Sequence, residues 1–276
     1  MRNQADKAAA FRALHQRPGV FVLPNPWDAG SAKLLAHIGF EALATTSLGF
    51  AAALGKVDGT GAVSRADTLA NCRAIAEATD LPVNADLENC FADDPRAAAE
   101  TIRLAAEAGV VGGSIEDATS DARKPIYDFD QAVERVAAAV GMARALPFPF
   151  TLTARAENFL HGRPDLDDTI RRLRAFEKAG ADVLYAPGLK DLAAIRRVVA
   201  SVTKPVNVLM ASADPSLTVR DLGDAGVKRI STGSALARLA LGAFMRGARA
   251  LKENGGFAWI ADAVPSRDLK DVFGRG

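Results

Sequence analysis

The stretch Val83-Asn84-Ala85-Asp86-Leu87-Glu88-Asn89 begins as a short apolar run and ends in two carboxylates. A second run of the same kind, Gly113-Ser114-Ile115-Glu116-Asp117, follows further along the chain. A buried strand that ends in acidic residues indicates a cation at its tip, because clustered carboxylates repel one another and are costly to bury. Two such strand ends in one chain predict a divalent metal site and an anionic substrate.

Short apolar runs recur eight times along the chain, with alanine-rich amphipathic stretches between them. The runs are 19–23, 42–46, 81–85, 110–115, 150–154, 181–185, 205–209 and 227–231. The intervening helix-like stretches include 95–108, 166–179, 191–202 and 217–225. Glycines such as Gly109, Gly180 and Gly226 lie between a helix-like stretch and the next run, where a left-handed glycine commonly ends a helix.

Eight strands that alternate with helices predict an α/β fold with a parallel sheet closed as a (β/α)8 TIM-type barrel. An open doubly wound sheet is the competing fold. Its dinucleotide-binding members carry a glycine-rich turn after the first strand, but here the turn is Pro24-Asn25-Pro26-Trp27-Asp28-Ala29-Gly30, which does not match that fingerprint. The barrel is therefore the predicted fold.

The chain is predicted to form one domain, residues 1–276, with a helical C-terminal extension at about 251–276. Its 276 residues suit a single barrel. The extension contains Trp259, Ile260, Val264 and Phe273 beyond the eighth helix. These apolar side chains need a surface to cover them, and we expect a neighbouring subunit to provide it.

Composition excludes several classes of function. The net charge of +1 gives no overall field that favours nucleic acid or an acidic membrane, and no apolar run is long enough to span a bilayer. Residues 1–16 lack the apolar segment of a signal peptide. The two cysteines, Cys72 and Cys90, match no zinc or redox spacing. A soluble cytoplasmic protein that binds neither nucleic acid nor membrane is expected.

In a barrel of this type the site lies at the carboxyl ends of the strands. We therefore expect Asp86, Glu88 and Glu116 to converge there and to bind Mg²⁺, or Mn²⁺ in its place, because these ions prefer oxygen ligands. No cluster of histidines and cysteines indicates zinc. The alternative is that the acids cap the helices that follow, which is the interpretation we favour for Asp28 and for Asp117 taken alone.

Arg155 follows the fifth run, so its side chain is expected at the same mouth. Its planar guanidinium suits a bidentate grip on a carboxylate, and the alternative is a salt bridge to Glu157 or Glu116. Backbone amides at Ser47 to Gly49 are candidates for a second anionic end. The full set of residues predicted to contact the substrate is Thr45, Ser47, Leu48, Gly49, Asp86, Arg155 and Asn207.

These motifs together resemble the isocitrate lyase/phosphoenolpyruvate (PEP) mutase superfamily over about residues 20–250. Asp86-Leu87-Glu88-Asn89-Cys90-Phe91-Ala92 is similar to its metal-site signature, with Glu88 in place of the usual second aspartate. The resemblance implies that Asp58 joins Asp86, Glu88 and Glu116 around the metal. It also implies that Arg155, in Ala154-Arg155-Ala156-Glu157-Asn158-Phe159, grips the substrate, and that the segment 45–49 binds its carboxylate and oxo groups.

The chain departs from the superfamily pattern in a loop. Isocitrate and methylisocitrate lyases place Lys-Lys-Cys-Gly-His after the Glu-Asp pair, whereas here the loop 118–127 reads ATSDARKPIY. This loop offers Lys124 or Tyr127 as the catalytic acid. The alternative is that both are ordinary solvent-exposed loop residues. Pro187 stands where relatives use histidine or glutamate. Cys90 occupies a family glycine and is interpreted as a small buried residue.

The resemblance implies a Mg²⁺-dependent lyase that acts on a small 2-oxo or 2-hydroxy carboxylic acid through an enolpyruvate-like intermediate, by C–C cleavage or decarboxylation. One alternative is C–P chemistry, as in a phosphonomutase or phosphonopyruvate hydrolase, with Arg238 as a second cation for the phosphonate. Another is a protein that binds oxo acids with little turnover. The resemblance also implies a homotetramer, a dimer of dimers, in which the last helix swaps onto a neighbouring subunit.

Overall fold

Eight parallel strands with helices between them form the structure, a computed structural model that describes residues 2–210 and 217–274. The last two residues of the predicted extension, 275 and 276, lie outside these ranges. The strands are β1 Phe21–Leu23, β2 Leu43–Ala44, β3 Val83–Ala85, β4 Gly112–Glu116, β5 Thr151–Arg155, β6 Val183–Tyr185, β7 Val206–Leu209 and β8 Arg229–Ser231. All eight predicted strands are confirmed.

The strands lie in the order β1-β8-β7-β6-β5-β4-β3-β2, so the sheet begins and ends with the first two strands. These two ends meet. The Ala44 amide donates to the Pro24 carbonyl over 3.0 Å, and Asn25 Nδ2 donates to the Thr45 carbonyl over 2.8 Å. The sheet is therefore a nearly closed (β/α)8 barrel, as the sequence predicts.

The helices surround this sheet and connect its strands. They are α1 Gln4–Gln16, α2 Ala29–Ile38, α3 Ser47–Ala53, α4 Arg65–Glu77, α5 Pro95–Glu107, α6 Phe129–Ala145, α7 Leu166–Ala179, α8 Leu192–Ser201, α9 Val219–Asp224, α10 Ala235–Asn254 and α11 Ser266–Phe273. The four helix-like stretches of the sequence agree with α5, α7, α8 and α9 to within two residues at each end. Local signals set these limits: Asp165 caps the start of α7, and Gly180, at φ 104°, ends it.

Helix α1 closes the amino-terminal end of the barrel. Its Phe11 and Leu14 are buried in one cluster with Phe21 and Val111, which lie where strands begin. Gly112 has no room for a larger residue there, because a Cβ would come within 2.8 Å of the Thr151 carbonyl oxygen. The polar strand ends predicted for the site lie at the opposite, carboxyl end of the barrel.

The C-terminal extension runs along the outside of the barrel. A short 3-10 helix, Ala258–Asp262, packs Trp259 against Gly247 of α10, and α11 contacts α2 of the same chain. Large apolar side chains remain exposed along this surface: Leu239, Leu241, Phe244, Met245, Leu251, Phe257, Trp259 and Ile260. The exchange of the last helix between subunits stays a prediction. No helix in the described part of the chain is long and apolar enough to cross a membrane.

Candidate active site

Arg155 lies at the centre of a group of carboxylates at the carboxyl end of the barrel. Its guanidinium contacts Asp86 (Nη1 to Oδ1, 3.0 Å), Glu116 (Nη2 to Oε2, 3.1 Å) and Glu157 (Nε to Oε1, 2.7 Å). The alternative that the sequence left open, a salt bridge from Arg155 to Glu116 or Glu157, is therefore present with both partners and with Asp86 as well. The residues predicted for metal binding and for substrate binding share one ionic network.

Strand register explains this convergence. Glu116 and Arg155 are the last residues of β4 and β5 and lie side by side, and Asp86 directly follows β3. Asp86 is held from two further directions: its amide donates to Thr45 Oγ1 over 2.8 Å, and its Oδ2 accepts from the Ser47 amide over 3.1 Å. Residues that follow β2, together with Arg155 at the end of β5, thus hold Asp86 in position.

Asp58 and Glu88 add two more carboxylates to the group. Ser47 Oγ donates to Asp58 Oδ2 over 3.4 Å, and burial together with the charge of Asp86 raises the pKa of Asp58. Burial, and then the charges of Asp86 and Asp58, raise the pKa of Glu88 to about 7. Burial also raises the pKa of Glu116 well above its usual range, although Arg155 opposes this effect. The positive charge near these acids is therefore too small to stabilise all of their carboxylates in the charged form.

The charge balance fits a divalent cation. The group contains five carboxylates, those of Asp58, Asp86, Glu88, Glu116 and Glu157, and three of them contact the guanidinium of Arg155. Within residues 2–210 and 217–274, no three histidine, cysteine, aspartate or glutamate side chains are placed to hold one metal ion together. Asp86 and Glu116 are turned toward the guanidinium, so metal binding would require them to share their oxygens between Arg155 and the ion.

A cavity of about 140 Å³ opens beside this network. Its lining includes six of the seven residues predicted to contact the substrate: Thr45, Ser47, Leu48, Asp86, Arg155 and Asn207. The seventh, Gly49, does not line it. The Gly49 amide donates to Thr46 Oγ1 over 3.4 Å, and a Cβ there would meet Thr46, Trp27 and Ala237. Gly49 therefore lets α3 pack closely against its neighbours.

Lys124 lies apart from the carboxylate group. It forms an ion pair with Asp128 on the surface, and it lines a different hollow, next to Asp93 and Tyr127. The Tyr127 hydroxyl donates to Asp93, and burial and this contact raise the pKa of Tyr127 to about 12. Neither candidate acid of the loop reaches the cavity in this arrangement, and the catalytic role of Lys124 stays a prediction.

Two predicted capping residues have different outcomes. Asp28 caps α2, where its carboxylate accepts from the Ser31 amide over 2.6 Å, so this prediction is confirmed. The prediction for Asp117 is wrong. Its side chain is buried, accepts from the Glu157 amide over 2.8 Å and forms an ion pair with Arg172 over 3.0 Å. Asp117 therefore supports Glu157, which in turn holds Arg155.

Other sequence interpretations concern Cys90 and Arg238. Cys90 is fully buried and burial raises the pKa of its thiol to about 12, which confirms the interpretation as a small buried residue. Arg238 is exposed on α10 and does not line the cavity, so it does not provide the second cation that a phosphonate pocket would need.

Several cavity residues lie within the strands and are absent from the predicted set. Side chains alternate along a strand, so the residue two positions earlier faces the same interior. Counting two positions back from Asp86, Glu116, Arg155 and Ser231 gives Asn84, Ser114, Thr153 and Arg229. All four of these earlier residues line the cavity. This layer forms the deep part of the site.

Arg135 holds the turn that carries Glu88. Its guanidinium is fully buried, stacks over the Tyr127 ring at 4.2 Å and donates to the carbonyls of Asn89, Ala92 and Asp93. Glu88, Cys90 and Phe91 in this turn have φ between 50° and 59°, a left-handed conformation that side chains disfavour. Arg135 therefore compensates a strained turn.

We expect Arg135→Ala to lower the free energy of unfolding by about 3–5 kcal/mol, because three carbonyls lose their charged donor. Urea denaturation measures the effect. The matched control is Glu134→Ala on the exposed side of the same helix, for which a change within about 0.5 kcal/mol is expected. Equal stability of the two variants would contradict a structural role for Arg135.

Comparisons with known proteins agree with this architecture. A family model described as phosphoenolpyruvate phosphomutase matches residues 11–252. The structure of a chain from Burkholderia cenocepacia J2315, provisionally assigned as a lyase/mutase, is 58% identical with a TM-score of 0.95, covering 98% of this chain and 96% of that one. An uncharacterized protein of Mycobacterium tuberculosis is 34% identical over 262 residues, with 95% of each chain covered.

Several relatives with defined activities are lyases. The structure of 2,3-dimethylmalate lyase, a member of the PEP mutase/isocitrate lyase superfamily, is 27% identical with a TM-score of 0.86, covering 100% of this chain and 96% of that one. Lyases also recur among the curated relatives. The protein described here is therefore an enzyme, and its chain belongs to the phosphoenolpyruvate phosphomutase family within the isocitrate lyase/PEP mutase superfamily.

Proposed function

We propose that this enzyme is a Mg²⁺-dependent lyase that cleaves a C–C bond of a small 2-oxo or 2-hydroxy carboxylic acid, or decarboxylates it, through an enolpyruvate-like intermediate. The observation that carries the proposal is the position of Arg155 among Asp86, Glu116 and Glu157 beside a small cavity. That arrangement combines an excess of oxygen ligands with a cation that suits a carboxylate. Lyase activities among the relatives support it.

Asp86, Glu88, Glu116 and Asp58 would hold the Mg²⁺, or Mn²⁺ in its place. When bound, this ion supplies Lewis-acid stabilisation for the negative charge that develops on the substrate oxygen. Thr45 and Ser47 keep the Asp86 carboxylate in position through hydrogen bonds. These bonds are already made in the protein alone, and Asp86 would share its Oδ1 between Arg155 and the ion.

Arg155 would orient the substrate carboxylate together with the Ser47 and Leu48 end of α3, which lines the same cavity. The arginine is itself held by Glu157, whose amide is bound to Asp117. This chain of contacts fixes the guanidinium plane, and fixed donors stabilise a developing charge better than mobile ones. Lys124 would supply the proton after its ion pair with Asp128 opens and the loop 118–127 moves toward the cavity.

Calorimetric titration with oxalate, which resembles the enolate of pyruvate, tests the proposal with and without Mg²⁺. Metal-dependent binding is expected and would be followed by a turnover screen of oxaloacetate, methylisocitrate analogues and phosphonopyruvate. No binding under any metal condition would show that the acidic strand ends are structural. Tight oxalate binding without turnover of any oxo acid would instead identify a binding protein, and cleavage of phosphonopyruvate alone would identify C–P chemistry.

We also propose that the enzyme assembles as a tetramer through its C-terminal surface. Large apolar side chains are exposed along α10 and the residues that follow it, and exposed apolar side chains grouped in this way are typical of protein–protein interfaces. A second copy of the chain that exchanges its last helix would cover this patch. The occupant is inferred from α11, which follows this surface in the chain and packs beside α2 on the outside of the barrel.

Truncation after Gly255 is expected to disrupt the tetramer, because it removes the exchanged segment; sedimentation velocity measures the assembly. A point variant tests the same surface: Phe244→Asp should weaken assembly, whereas Leu160→Asp should not. Both side chains are exposed, at 72% and 51%, but Leu160 follows β5, which is separated from β8 by β6 and β7 in the sheet. An intact tetramer after the truncation would contradict the proposal.

A further inference from the structure

Arg229 lies in the deep part of the cavity, below the carboxylate network. It is the first residue of β8 and only 3% exposed, yet it lines the same cavity as Arg155. Its Nε donates to Asn207 Oδ1 over 2.8 Å and its Nη2 to Thr153 Oγ1 over 3.0 Å. Nη1 lies 3.4 Å from Nε2 of His15 on α1.

None of these partners carries a negative charge. Asn207 and Thr153 are neutral, and His15 is neutral as well, because burial and the nearby Arg229 lower the pKa of His15 to about 3. His15 Nδ1 lies 2.8 Å from the Phe11 carbonyl, which places the ring proton on Nδ1 and leaves Nε2 as an acceptor for Arg229. The contacts orient the guanidinium without neutralising it.

Other arginines near the site are neutralised. Arg155 contacts three carboxylates, and Arg172 contacts Asp117 and Asp168. For Arg229, by contrast, the described parts of the chain provide no ion pair. Burial without an anionic partner lowers the pKa of Arg229 to about 9. A buried charge of this kind is costly unless an ion of opposite sign completes it.

The cavity gives Arg229 access to such an ion. A guanidinium has five N–H donors, and the three contacts above use three of them. Thr153, which holds Arg229, lies two residues before Arg155 on β5, a backbone rise of roughly 7 Å. Because both arginines line the same small cavity, an acid whose two carboxylates are joined by a short carbon chain suits the pair.

We infer that Arg229 binds the second carboxylate of a dicarboxylate substrate at the deep end of the cavity. This inference rests on the proposed function, in which Arg155 and the metal ligands hold the 2-oxo or 2-hydroxy carboxylate end. The carboxylate network around Arg155 carries an excess of negative charge and favours an acid that binds through the metal. Arg229 favours an acid that has a second carboxylate. The substrate class is therefore a small 2-oxo or 2-hydroxy dicarboxylate rather than a monocarboxylate.

Calorimetric titration with racemic malate and racemic lactate in the presence of Mg²⁺ tests this inference, because the two 2-hydroxy acids differ in the distal carboxylate. We expect the wild-type enzyme to bind malate about tenfold to a hundredfold more tightly than lactate, the contribution of one charge-assisted interaction. Arg229→Met, which has no charge, should remove this preference. Arg229→Lys should retain part of it.

Oxalate is the reference ligand, because it is too short to reach Arg229. If oxalate fails to bind the wild-type enzyme with Mg²⁺, the proposed function is wrong. If oxalate binds but malate binds no more tightly than lactate, the inference about Arg229 is wrong and the proposed function stands. The same conclusion holds if Arg229→Met keeps the wild-type preference. The wild-type comparison decides the matter even if a variant fails to fold, which thermal denaturation would reveal.

Discussion

Replacing Asp86 with asparagine is expected to abolish metal-dependent oxalate binding and to lower turnover by about a thousandfold. Asp86 is the carboxylate that contacts Arg155, accepts the Ser47 amide and lies beside the cavity. The amide of asparagine has nearly the same shape but no charge, so it cannot compensate a divalent ion. Calorimetry with Mg²⁺ and then oxalate measures the loss, and steady-state kinetics on the substrate measures turnover.

Asp121→Asn provides the control for this substitution. Asp121 lies in the loop 118–127, where it forms an exposed ion pair with Arg123, so its neutralisation should leave Mg²⁺ binding unchanged. Circular dichroism and thermal denaturation would establish that both variants fold. Metal-dependent oxalate binding of wild-type strength in Asp86→Asn would show that the metal lies elsewhere.

Replacing Arg155 with methionine is expected to abolish oxalate binding while Mg²⁺ alone binds as tightly as before or more tightly. The guanidinium occupies oxygens of Asp86 and Glu116 that a metal would also need, so its removal relieves a competition. It also leaves Asp86, Glu116 and Glu157 partly buried without their cation. We therefore expect a loss of about 3–5 kcal/mol in the free energy of unfolding, much of which Mg²⁺ should restore.

Two measurements separate these effects. Calorimetry with Mg²⁺ alone reports the metal site, and thermal denaturation with and without Mg²⁺ reports the uncompensated charge. Arg155→Lys is the matched control, because it keeps the charge but not the planar fork that contacts three carboxylates; we expect it to retain stability better than it retains oxalate binding. A parallel loss of Mg²⁺ and oxalate binding in Arg155→Met would refute the view that the arginine and the metal compete.

The two substitutions are expected to have opposite effects on Mg²⁺ affinity, which makes them informative together. Loss of Asp86 removes a ligand, whereas loss of Arg155 removes a competitor, although both residues belong to one ion pair. A purely structural network would give destabilisation in both variants and no response to Mg²⁺. The comparison therefore distinguishes a metal site from an internal salt bridge without requiring the natural substrate.

Local sequence signals predicted the frame of the site correctly. The apolar runs and the glycines that end helices, such as Gly180, depend on near neighbours in the chain, so they identify the strands and helices. Once eight strands alternate with helices, closure of the barrel brings their carboxyl ends to one mouth. Asp86, Glu116 and Arg155 could therefore be placed together from the sequence.

The roles within that mouth depend on pairings between residues far apart in the chain. Asp117 was interpreted as a helix cap, but it pairs with Arg172, 55 residues later, because both are buried in the same layer. Lys124 has a suitable chemistry for an acid, yet its ion pair with Asp128 holds it on the surface. Propensity and spacing do not report such contacts.

By itself the sequence determined the barrel, the family and the set of polar residues at the strand ends, because these follow from periodicity and short motifs. Only the tertiary structure decided how charge is distributed among them. It surrounds Arg155 with three carboxylates and gives Arg229 none within the described residues. The physical reason is that the energy of a buried charge depends on the distance to its partners in space, which sequence separation does not specify.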